Sequence, residues 1–175
     1  MRAFAIIGCC VLLACPMARA ETPPERTDAP SPAPTAAELI SQLYQFDLFQ
    51  QNAIDRTDSG AAGDVLTAAA GRAEAASKRD KALAELQRQT GTDVPAQRKA
   101  AAMRADSLAA VDRTDGPAYV RQFYAAQLAE YELTVALLES YLQSPDNEDI
   151  GRFAAAQLPV LRSELTDIRS ALADK

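Results

Sequence analysis

The sequence predicts an all-α protein built as an up-and-down four-helix bundle. Three observations carry that expectation. Apolar residues recur at spacings of three and four along four separate stretches. Turns bearing Gly or Pro separate those stretches. The chain has no alternating β-branched run and no Asn-Gly hairpin signal.

The first twenty residues read as an export signal. Arg2 supplies a basic start, and Ala3 to Cys15 is an apolar run of 13 residues. That run is too short to cross a bilayer core of about 30 Å as a helix. Pro16 breaks it, and Ala18-Arg19-Ala20 presents small residues where a signal peptidase reads them. Cleavage there removes Arg2, Arg19 and all three cysteines, and leaves 16 basic against 24 acidic side chains, a formal charge of −8. The alternative is lipidation at Cys15, because Leu12-Leu13-Ala14-Cys15 has the form of a lipobox. Pro16 directly after that cysteine argues for simple cleavage. Residues 21–35 hold five prolines and few apolar side chains, so they are expected to form a disordered linker. The bundle domain is expected over residues 36–173.

Thr35 and Glu38 form a capping box behind Pro34, and Leu39, Leu43, Phe46, Gln50 and Ala53 follow at helical spacing. Gly60 and Gly63 close this segment. A second, Ala-rich helix is expected from about Asp64 to Thr90, its inner line running Leu66, Ala69, Ala73, Ala76, Asp80 and Leu83, with Gly91 ending it. A shorter fifth helical segment is possible around residues 96–112, where Met103, Leu108 and Val111 are the best apolar positions. The clearest helix runs from Pro117 to Gln143 on a stripe of Tyr124, Leu128, Tyr131, Val135, Leu138 and Leu142. The last starts at Ser144-Pro145-Asp146, with Pro145 in its first turn, and carries Ile150, Ala154, Leu158, Leu161, Leu165, Ile168 and Leu172. Pro159 lies inside it, removes a backbone donor and is expected to kink it near Ala155.

Composition excludes whole classes of chemistry. The chain has no His, so a Ser-His-Asp triad, a Cys-His pair and His-ligated zinc or haem are all absent. A formal charge of −6 over 175 residues disfavours nucleic acid as a partner. No phosphate loop, nucleophile elbow or dinucleotide fingerprint occurs. The expectation is therefore no catalytic residue, no metal ligand and no cofactor.

The segments YVRQFYAAQLAEYELTVALLESYL and RFAAAQLPVLRSELTDIRSAL, with QFDLFQQNAI and LQRQTGTDVP before them, resemble an uncharacterised family of exported bacterial proteins, the domain of unknown function 4142. The resemblance covers about residues 36–173, and Leu158-Pro159-x-Leu161 is its most specific part. It implies a ferritin-like four-helix bundle. It further implies that a Glu on the first helix and a His on each later helix would match Gln50, Ala76, Tyr131 and Glu164. This chain departs from the pattern at all four positions, which leaves a vestigial inward polar cluster in place of a metal site. From the residues alone, Gln50 is expected to point inward toward another polar group or water. Tyr131 is expected as a core aromatic, Glu164 at the rim or just inside, and Asp80 either as a half-buried acid or swung to the helix edge to meet Arg79 or a base on a partner helix.

The expected protein is a periplasmic or secreted, non-enzymatic binding or structural component of the bacterial envelope, with no membrane span in its mature chain. The alternative is a ferritin-like metal-binding or oxidoreductase-type bundle with a degenerate site. An envelope protein or a second copy of the chain is the expected kind of partner, met through an Ala-rich face such as Ala68–Ala70 or Ala100–Ala102.

Overall fold

The computed structural model describes residues 33–55, 63–92 and 116–174, all within the unit Pro32–Lys175. They form four helices: α1 (Ala36–Asp55), α2 (Gly63–Thr90), α3 (Gly116–Gln143) and α4 (Glu148–Ala173). There is no strand among the described residues. The all-α four-helix bundle follows from the sequence as expected. The leader, the cleavage positions Ala18 and Ala20, the alternative lipidation site Cys15 and the segment 96–112 lie outside the described residues.

Local chemistry sets the helix ends. At the start of α1 the Thr35 amide donates to Glu38 Oε2 at 2.8 Å, and the Glu38 amide donates to Thr35 Oγ1 at 3.3 Å. This is the reciprocal capping box. Gly91, at φ 64°, ends α2 in the left-handed conformation that a Cβ disfavours. The start of α4 corrects the sequence reading. Asn147, not Pro145, begins it: its side chain accepts from the amides of Asp149 and Ile150 at 3.1 and 3.2 Å. Asp146 is diverted to a tertiary role. Its carboxylate accepts the Ala36 amide at 2.9 and 3.2 Å and the Tyr141 hydroxyl at 3.1 Å. Burial, followed by the hydrogen bond to Asp146 and its charge, pushes the Tyr141 phenol up to about 12. Helix α4 continues through Pro159, whose ring and the preceding Ala155 are both exposed, so the carbonyl that loses its donor faces solvent.

The contact at Asp146 also fixes the topology. Helix α1 starts where α3 ends, so these two are antiparallel. Tyr44 near the start of α1 reaches Gln87 near the end of α2, so α1 and α2 are antiparallel too. Glu139–Arg162 and Glu132–Arg169 pair α3 with α4 in opposite directions. Helices α2 and α3 therefore run the same way. The expected up-and-down alternation holds within α1–α2 and within α3–α4. Between these hairpins the chain joins opposite ends of a bundle about 40 Å long, because Thr92 and Gly116 lie at those opposite ends.

Leu39, Ile40, Leu43, Phe46 and Phe49 of α1 pack against Phe123, Tyr131, Leu138 and Tyr141 of α3, and against Ile150, Leu161 and Ile168 of α4, in one apolar core. The stripes read for α3 and α4 are the buried ones, with Leu128, Leu142, Leu158 and Leu172 only partly covered. The α2 stripe holds at Ala69, Ala76 and Leu83, but Val65 and Arg79 take the inner places expected for Leu66 and Asp80. Val65, Ala69, Arg79 and Leu83 are buried, whereas Leu66 is 39% exposed. The Ala-rich sequence offers little contrast between faces, so the period alone could not set the rotation.

Replacing Leu138 or Leu161, each with no exposed surface, by Ala is expected to lower stability by about 2–5 kcal/mol in chemical denaturation. Replacing Glu139 or Arg162, an exposed ion pair at 2.7 Å, is expected to cost no more than about 1 kcal/mol.

Candidate functional site

Halfway along the bundle the inner face of α2 changes character. Arg72 and Arg79 bring charge to two successive turns on either side of Ala76, which is fully buried but lies outside the contiguous apolar core. Opposite them α1 presents Asp47, Gln50 and Gln51. Helix α3 presents Gln127 and Tyr131, and α4 presents Glu164.

The centre of this layer is a buried ion pair between α1 and α2. Arg79 Nε donates to Asp47 Oδ1 at 2.8 Å, and Arg79 Nη2 makes a second, shorter contact with the same oxygen. Their side chains are 3% and 0% exposed. The Arg79 guanidinium lies 5.1 Å from the centre of the Phe46 ring, and that ring meets Tyr131 edge-on at 4.9 Å. Asp80 lies beside the pair: its Oδ2 accepts Gln51 Nε2 at 2.8 Å, and its Oδ1 is buried without a hydrogen-bond partner among the described residues. Burial raises the Asp47 carboxyl to about 7. The Arg79 charge and hydrogen bond oppose the rise, and nearby Asp80 adds to it.

The four positions singled out in the sequence sit as follows. Gln50 is 1% exposed, and neither atom of its amide group has a hydrogen-bond partner among the described residues. Ala76 and Tyr131 are buried. Glu164 is half-buried, with Oε2 turned inside and unpartnered among the described residues. Tyr131 and Glu164 come together: the phenol is held well above its usual range by burial first and then by the Glu164 charge, with Arg72 opposing. Asp80 meets Gln51, and it is Asp47 that takes Arg79. Sequence reasoning missed Asp47 and gave Arg79 to Asp80, because Asp47 and Arg79 each lie one residue from the line drawn for their helix. It also missed Gln127, which flanks the Tyr124–Leu128–Tyr131 stripe.

This donor set fits a transition metal poorly. Ala76 offers no ligand, the Gln50 amide is a weak one, and a phenol held above its normal range is not ionised at neutral pH. Arg72 and Arg79 both act electrostatically on Tyr131, so a divalent cation there would stand beside two guanidinium groups. Among the described residues no group of three or more His, Cys, Asp or Glu side chains converges in a way that could hold a metal ion. Nucleophilic chemistry has no better footing, since the phenol faces a carboxylate and stays protonated.

A family model, Domain of unknown function (DUF4142), matches residues 21–171. The chain belongs to this family. No curated protein and no solved structure matches it. DUF4142 membership assigns no activity. None of the helices among the described residues is long and apolar enough to cross a membrane.

The raised Asp47 pKa predicts a pH dependence. Between about pH 4 and 7 the folded chain holds a proton that the unfolded chain has released. Stability therefore falls as pH rises through this window. Denaturation midpoints are expected to drop between pH 5 and pH 8, and Asp47→Asn is expected to flatten that part of the profile.

Proposed function

We propose that this DUF4142 protein is an exported, non-enzymatic helical-bundle component of the bacterial cell envelope. In its interior, an ion pair and uncharged polar groups replace a metal centre. The observation that carries the reading is the buried Asp47–Arg79 pair, which puts a fixed cation on α2 one turn from Ala76. Export is supported by the leader, with its apolar run, Pro16 and the Ala18-Arg19-Ala20 site. A ferritin-like arrangement is supported by two antiparallel hairpins joined end to end by one long connection. Its di-metal chemistry is not supported, for want of imidazoles and of carboxylates that converge among the described residues. What the bundle offers an envelope partner is its charged outer surface: of the Ala-rich faces read in the sequence, Ala68–Ala70 turns Ala69 into the core, and Ala100–Ala102 lies outside the described residues.

Two measurements on protein purified from the envelope fraction test this. Elemental analysis is expected to find no stoichiometric iron, manganese or zinc, and intact mass is expected to correspond to a chain starting at Glu21. Tight stoichiometric metal would overturn the non-metal reading. A diacylglyceryl mass on Cys15 would move the protein to a membrane surface.

A further inference from the structure

Gln127 takes no part in the reading above, yet it is fully buried, and both its amide atoms lack a hydrogen-bond partner among the described residues. The same is true of Gln50 on α1. A buried amide left unpaired costs about 1–3 kcal/mol, and native interiors seldom tolerate it.

Helix register puts the two glutamines at one level. Phe46 of α1 meets Tyr131 of α3, and these helices are antiparallel. One turn onward along α1 is Gln50, and one turn back along α3 is Gln127. On α2, Arg79 is level with Asp47, so Ala76, about one turn back, is level with Gln50. Ala76 brings a single methyl and no polar atom to this level. Two further orphaned atoms lie nearby: Arg72 Nη1 and Glu164 Oε2 are both buried without a partner among the described residues.

We propose that Gln50 and Gln127 form an internal hydration site, in which ordered water beside Ala76 bridges the two side-chain amides. Two amides present two carbonyl oxygens and two NH2 groups, and water is the ligand that matches donors and acceptors together. A buried water needs two to four polar partners, which this pair supplies. A cation would meet the amide NH2 groups and the neighbouring guanidinium. An apolar ligand would leave every one of these atoms unpaired. The site stands on the geometry of this chain and is independent of the export and metal readings.

The test is solution NMR on the purified chain, with water itself as the probe. Nuclear Overhauser cross-peaks are expected between long-lived water and the side-chain NH2 protons of both Gln50 and Gln127. The contribution of long-lived water to oxygen-17 relaxation is expected to fall in Gln127→Leu, where the side chain fills the site and removes its ligands. Cross-peaks running directly between the two amides, with none to water, would overturn the proposal. So would an unchanged water relaxation signal in a folded Gln127→Leu protein. If that variant does not fold, the cross-peaks of the unaltered chain decide alone.

Discussion

The Asp47–Arg79 pair is the constraint around which the middle of the bundle is organised. Removing both charges from water is costly, and the pair offsets that cost only while its geometry holds. Once it is placed inside, its neighbours follow. Phe46 turns a ring face to the guanidinium, Tyr131 packs edge-on against that ring, and Gln51 donates to Asp80 beside the inner carboxylate. The α1–α2 hairpin is thereby locked in rotation as well as in register. An apolar seam of Ala-rich character would not achieve this, because one small face resembles the next.

One end of the bundle is held by a carboxylate. At the end where α1 starts, Asp146 gathers the first amide of α1 and the last buried aromatic of α3, so the α3–α4 turn is tied to the α1–α2 hairpin. The core is apolar except near mid-bundle, where Asp47 and Gln50 of α1, Arg79 of α2 and Gln127 of α3 are buried. Fold stability and interior chemistry are thus separable. Leucines and aromatics define the bundle, while a few buried polar residues on α1, α2 and α3 decide what its centre can hold. With guanidinium groups at that level, the centre suits hydrogen-bonding neutral ligands better than divalent metal.

Much of this was legible in the sequence, and the failures have physical reasons. The capping box at Thr35, the stop at Gly91 and the stripes of α3 and α4 were readable because bulky apolar residues contrast with charged ones at a clear period. The direction of α3 was not readable, since periodicity reports faces and not connectivity. The start of α4 was misplaced because Pro145 and Asp146 have the composition of a first turn, while Asp146 is used across the bundle. In the polar layer, Gln50 and Tyr131 were found inside because they lie on strong stripes. Asp47 was overlooked and Arg79 given to Asp80 because a charged residue beside a stripe is ordinarily solvated, and only tertiary packing shows that each is the other's partner.

The most direct test of the central claim is a double-mutant cycle on the pair, read by chemical denaturation at pH 8. Asp47→Leu and Arg79→Leu are each expected to cost about 3–5 kcal/mol, because each leaves an uncompensated buried charge. The double variant is expected to cost less than either single one, because it leaves no charge behind. Small, additive losses from the two single substitutions would contradict the account, since they would mean that neither group depends on the other.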